Sequence, residues 1–151
     1  IQEGQYNTNP DIQPGDSKEI IAQKMSSVIK IGNWNYWFDN GQQLAEEHYN
    51  AAGAHIGTWK SWDNNGHLAS EINYTAGTAV YYHANGAKAE EGKINAAGDR
   101  IGDWKGYHEN GKLNYSGSWN ASGKTGTWTY YDNEGNVTGT EQWNNGVMSA
   151  H

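Results

Sequence analysis

The sequence predicts an all-β chain: an elongated, twisted, single-layer antiparallel sheet of about five to six stacked β-hairpin repeats. Three observations carry this reading. The string Gly-x-Trp-x-x-aromatic-x-x-x-Gly returns along the chain at a nearly constant interval. Each copy ends in a Gly turn, most often Asn-Gly, flanked by short aromatic runs that suit strands. The 151 residues contain 20 Gly, 8 Trp and 10 Tyr but no Cys.

The copies begin at Gly32, Gly57, Gly77, Gly102 and Gly126, giving units at about 32–56, 57–76, 77–101, 102–125 and 126–146. Their turns are Asp39-Asn40-Gly41, Asn64-Asn65-Gly66, Ala84-Asn85-Gly86, Glu109-Asn110-Gly111 and Asn133-Glu134-Gly135. Asn-Gly is expected to supply the positive φ angles of a tight hairpin turn, with Gly41, Gly66, Gly86, Gly111 and Gly135 as the turn glycines. A second strand follows each turn and ends on Tyr49, Tyr74, Ile94, Trp119 or Trp143. Side chains alternate along a strand. One face therefore carries the structural ladder Trp34, Trp59, Ala79, Trp104 and Trp128, and the other carries Trp37, Trp62, Tyr82, Tyr107 and Tyr131. Ala79 breaks the Trp pattern, and the unit before it is several residues short.

Residues 1–16, with Pro10 and Pro14, read as an extended N-terminal arm. Residues 17–31 admit two readings. Ser17 as an N-cap before Ile21, Met25, Val28 and Ile29 suggests a capping helix. Ile20-Ile21 and Val28-Ile29 equally suit a degenerate first hairpin. A short tail follows the last repeat.

Composition excludes several function classes. Without cysteine there is no disulfide framework and no thiolate metal site. A formal charge of -7 disfavours nucleic acid. The low charged fraction of 18% and the absence of Cys suit an exported protein, periplasmic, outer-membrane-associated or extracellular, whose leader is not in this chain.

The repeated Gly-x-Trp-x-x-Tyr/Trp-x-x-Asn-Gly resembles the bacterial MORN-repeat variant, often labelled antitoxin-like, over roughly residues 32–146. That resemblance implies successive hairpins in a single-layer sheet, with no catalytic residues. Other members act as scaffolds, and some associate with membranes or lipids. The departure at Ala79 marks a bend or a docking place.

The sequence shows no nucleophile elbow, phosphate loop or zinc-protease motif, so the chain is read as no enzyme, with no cofactor and no metal. Asp63, His83, His108 and Asp132 share one slot, but repeats roughly 10 Å apart cannot close around one ion. They read as polar turn residues. Glu46-Glu47 and Glu90-Glu91 are adjacent on strands, point to opposite faces, and read as solvated charges that discourage edge aggregation. The Trp ladder is expected to pack inside the sheet, leaving Trp37, Trp62, Tyr82, Tyr107 and Tyr131 as the candidate binding face. The leading function is a non-catalytic protein-interaction or scaffold module, an exported accessory subunit of a larger assembly. Its partners are proteins, with membrane association only through a partner. The alternatives are glycan or cell-wall binding through aromatic rows, and an antitoxin or immunity role.

Overall fold

The structure, a computed structural model, describes residues 2–6, 15, 17 and 30–150. One open antiparallel sheet of twelve strands runs in strict chain order. It begins with β1 (Gln2–Tyr6), β2 (Lys30–Trp37), β3 (Gln43–Tyr49) and β4 (Thr58–Trp62). It continues with β5 (Leu68–Asn73), β6 (Thr78–Tyr82), β7 (Lys88–Ile94) and β8 (Arg100–Tyr107). The last four are β9 (Leu113–Asn120), β10 (Gly123–Tyr131), β11 (Val137–Asn144) and β12 (Val147–Ala150). From β2 onward every strand is hairpin-linked to the next, and no helix occurs among the described residues. Strands about 4.8 Å apart would carry such a sheet across roughly 50 Å. Within the segment read as an arm, β1 pairs with β2; most of residues 7–29, and with them the choice between cap helix and hairpin, lie outside the described residues.

The hairpin turns correct one expectation. Asn40, Asn65, Asn85 and Asn110 do not adopt positive φ; only the glycine after each does, from 86° to 88°. In each repeat the residue before the turn donates its N–H across a three-residue loop, as Phe38 does to Gln42 O (2.8 Å), while Gly41 donates back to Phe38 O (3.0 Å). This is a type I turn closed by a left-handed glycine, so one glycine suffices and the Asn serves through its side chain. The two-residue turn with both φ positive occurs between β11 and β12, at Asn145 (49°) and Gly146 (90°).

A sheet of one layer has no second layer to bury its side chains, and this one buries them within its own face. Across the strands one row reads Trp34, Glu47, Trp59, Ile72, Ala79, Gly92, Trp104, Gly117, Trp128 and Glu141, mostly as direct cross-strand partners. Indole rings need space, and the preceding strand supplies it. A Cβ built on Gly4, Gly92 or Gly117 would overlap the ring of Trp34, Trp104 or Trp128 respectively. Those three indoles are 2%, 1% and 2% exposed. At Ala79 the sizes are exchanged: Ile72 sits opposite, and Ala79 is still 1% exposed. Trp59 faces Glu47 rather than Gly and remains half-buried. The indole N–H groups of Trp59, Trp104 and Trp128 are satisfied by carbonyls of the preceding strand, at His48 (3.0 Å), Lys93 (2.8 Å) and Ser118 (3.2 Å).

Filling one of these spaces should be costly. Gly92→Ala is expected to lower stability by about 1–3 kcal/mol through overpacking against Trp104. Gly139→Ala, where a Cβ meets nothing within 4 Å, should stay within about 0.5 kcal/mol of the parent. Urea midpoints of the two variants check the contrast.

Candidate functional site

The register settles which side chains share a face. Trp37, Trp62, Tyr82, Tyr107 and Tyr131 lie opposite the Trp ladder, one per repeat, each at the end of its strand before the turn. All five are half-buried. Two hydroxyls of the row are tied down: Tyr82 donates to Glu71 (2.6 Å) and Tyr107 to Glu91. The Glu71 bond and burial push the Tyr82 phenol up to about 12. Burial and Glu91 do the same to Tyr107, also to about 12. Around the row stand the charged Lys60, Glu71, Lys88, Glu91 and Lys105, with Val80 between Glu71 and Glu91 and with Leu68, Leu113 and Val137 opposite Trp62, Tyr107 and Tyr131, so this face is mixed. No ring of the row pairs with another aromatic ring among the described residues.

The Trp face holds aromatic residues that the repeat pattern alone did not assign to it. Tyr36, Tyr81, Tyr115 and Tyr130 lie two positions from ladder or facing residues and therefore share their face. Tyr115 stacks on Trp128 at 5.5 Å, Trp119 meets Trp128 edge-on at 5.7 Å, and Tyr81 approaches Trp104 at 6.3 Å. Four residues before each Trp of the ladder stands a basic residue or histidine. Lys30 lies 4.8 Å from the Trp34 ring, Arg100 4.2 Å from Trp104, and Lys124 4.5 Å from Trp128. His55 occupies the same slot against Trp59 at 4.4 Å. The intervening glycine makes this reach possible: Gly32, Gly57, Gly102 and Gly126 all have φ between 63° and 74°. Where Ala79 replaces Trp, Thr75 replaces the base and accepts a hydrogen bond from the Gly57 N–H instead (2.9 Å). The spacing Lys/Arg/His-x-Gly-x-Trp was the signal that would have found this pairing.

The adjacent glutamates are more than solvated charges. Glu46 and Glu47 diverge to opposite faces, as do Glu90 and Glu91. Glu47 accepts from Tyr36 (3.1 Å) and Tyr49 (2.7 Å). Glu90 pairs with Arg100 (2.8 Å) and accepts the Tyr115 hydroxyl. These groups and Trp119, Lys124 and Trp128 line a cleft of about 230 Å³. Trp119 Nε1 is buried there without a hydrogen-bond partner.

The Asp63/His83/His108/Asp132 slot resolves into two turn devices. Asp63 accepts from the N–H groups of His67 and Asn65 (2.9 Å each), bonds that hold its carboxyl below the usual range. Asp132 treats Asn136 and Glu134 likewise. His83 and His108 instead reach forward one repeat, to Tyr107 O (2.8 Å) and Tyr131 O (2.9 Å). Asn40, Asn85 and Asn110 stitch the same edge by donating to Asn64 O, Glu109 O and Asn133 O. Among the described residues no group of three or more His, Asp or Glu is arranged to hold a metal ion. None of their helices is long and apolar enough to cross a membrane.

Glu90 makes part of the stability pH-dependent. Burial raises its carboxyl, but Arg100 and the Tyr115 hydroxyl outweigh burial and leave it below its ordinary value of 4.5. A folded-state value below the unfolded one stabilises above the unfolded value, and the gain disappears as pH falls through the folded one. Glu90→Gln should therefore be less stable than the parent at pH 7, and the gap should close below about pH 4. Urea midpoints across pH check this.

With the geometry in place, comparison with known proteins gives the following. The family model for the MORN repeat variant matches residues 56–76, 100–121 and 124–145. No curated protein matches the sequence. A chain in the crystal structure of accessory secretory protein 1, 2 and 3 in Streptococcus pneumoniae is similar at 12% identity, with a TM-score of 0.30, over 70% of this chain and 17% of that one. A chain of an S. aureus TarM mutant, in complex with fondaparinux, alpha-GlcNAc-glycerol and UDP, is similar at 10% identity and a TM-score of 0.35, over 91% and 25%. This chain thus spans a quarter or less of either solved chain, and neither likeness carries an argument about function. The three matched segments coincide with the hairpins β4–β5, β8–β9 and β10–β11, and there the chain carries repeats of the MORN variant.

Proposed function

We propose that this chain is a non-catalytic protein-interaction module whose contact surface is the row Trp37, Trp62, Tyr82, Tyr107 and Tyr131. MORN repeats are generally protein- or membrane-interaction modules. The observation that carries the reading is the contrast between the two faces. On the Trp face, rings cover one another, and Lys30, Arg100 and Lys124 fill their open sides. On the other face, five rings recur once per repeat, half-buried, without ring partners among the described residues. Regularly spaced aromatic anchors among aliphatic and charged neighbours are the composition of a protein contact surface. The finer assignment, an exported accessory subunit of a larger assembly, rests on the cysteine-free, lightly charged composition.

Purified gently from its source, the chain should elute in a complex well above its own 16.7 kDa. The combined Trp62→Ser, Tyr107→Ser and Tyr131→Ser variant should shed those partner chains while keeping the far-UV circular dichroism of the parent. Retention of the partners by this folded variant would move the contact elsewhere.

A further inference from the structure

The slot beside each Trp is filled by a cation of the chain itself, except in the second repeat. Lys30, Arg100 and Lys124 lie over Trp34, Trp104 and Trp128 at 4.2 to 4.8 Å. The box around Trp59 is built from Tyr49 and Tyr74, and it holds an imidazole where the others hold a cation. Tyr49 and Tyr74 each stand 5.1 Å from Trp59, edge-on, and the His55 ring lies 5.5 Å from Tyr49 and 4.8 Å from Tyr74. His55 is exposed, sits in the connection between β3 and β4, and makes no ring hydrogen bond among the described residues. Ring contacts to Tyr49, Trp59 and Tyr74 and a backbone bridge to Tyr49 hold it in place.

The electrostatics favour a stronger cation than imidazole. Glu47, which also lies 4.0 Å from Lys30 Nζ, accepts the Tyr49 hydroxyl at the rim of the box, and its charge raises the Tyr74 phenol, after burial and Tyr81. Aromatic faces attract ammonium and guanidinium groups, and a nearby carboxylate adds Coulomb attraction for a cation. The net charge of -7 draws basic partners toward the molecule.

We infer that the Tyr49/Trp59/Tyr74 box is a recognition site for a lysine or arginine side chain of a partner protein, which displaces His55 and supplies in trans the cation that the other repeats supply in cis. This inference rests on the reading of the chain as a protein-binding module, but it concerns the opposite face from the five-ring row. Its failure is therefore separable from failure of that reading: the titration below reports on one indole, whereas the row is tested by loss of partners.

The test follows the Trp59 indole N–H by nitrogen-15 NMR while N-acetyl-arginine methylamide is added, with the neutral citrulline analogue as control. Saturable shifts of Trp59 are expected with the arginine compound and none with citrulline. His55→Ala should bind several-fold more tightly because nothing has to be displaced. His55→Arg should not respond, its own guanidinium filling the box as Arg100 fills the box at Trp104. If that variant fails to fold, His55→Lys carries the same expectation. Tyr74→Leu, which keeps His55, should also lose the response. Equal binding by parent and His55→Arg, or no saturation even in folded His55→Ala, would overturn the inference. Tighter binding of choline than of the arginine compound would overturn it too, in favour of a small quaternary ammonium ligand.

Discussion

Every indole that this sheet buries needs a missing side chain beneath it. A globular domain buries its large residues between layers. Here a single layer must do so along its own surface, and the flat indole lies across the neighbouring strand. That strand can accept it only where it carries no Cβ. Gly4 beneath Trp34, Gly92 beneath Trp104 and Gly117 beneath Trp128 are this constraint met three times. Ile72 opposite Ala79 meets it in reverse, since bulk moved from one strand to its neighbour fills the same volume. Glu47 beside Trp59 is the place where it is relaxed. The consequence is a half-buried indole in an aromatic box that holds His55 in place of a cation.

The rest of the architecture organises around that row. The left-handed glycine two residues before each Trp of the ladder brings the preceding base, or His55 at Trp59, back over the ring. The Trp face is thereby closed by the chain's own cations, except at His55. At the turn edge, Asn and His side chains reach carbonyls of the following repeat. The third and fourth repeats are joined to their successors by two such bonds each, the first repeat by one. No equivalent bond from Asn65 joins the second repeat to the third. That gap coincides with the shortened spacing from Gly57 to Gly77. Nearest-neighbour contacts of this kind are what a repeat protein has in place of a common core.

The hairpin period, the strand order and the opposition of the two aromatic rows were legible because each follows from a short-range rule. A turn needs glycine, alternation has a period of two, and the repeated string fixes where each strand starts. The Asn-Gly turns were read one step too simply. Dipeptide identity alone does not distinguish a two-residue turn from a three-residue turn closed by glycine, and only Asn145-Gly146 takes the first form. Tyr36, Tyr81, Tyr115 and Tyr130 were readable from the same alternation but are obscured by the second aromatic row beside them. What single-strand reasoning could not reach were cross-strand relations. Gly92 serves Trp104 twelve positions away, and Arg100 joins Glu90, Tyr115 and Trp104 across three strands. The tie between Glu90 and Tyr115 likewise depends on register rather than on adjacency.

The central claim is that indole and glycine are one unit shared between strands, and the third repeat offers its most direct test. A double-mutant cycle of Ala79→Trp and Ile72→Gly, read as unfolding free energies, would rebuild the pair found in the first, fourth and fifth repeats. The account predicts that Ala79→Trp alone is strongly destabilising, because its ring has Ile72 beneath it. Adding Ile72→Gly should recover most of that loss, with a favourable coupling of about 1–3 kcal/mol. Additive effects, with no recovery in the double variant, would contradict it.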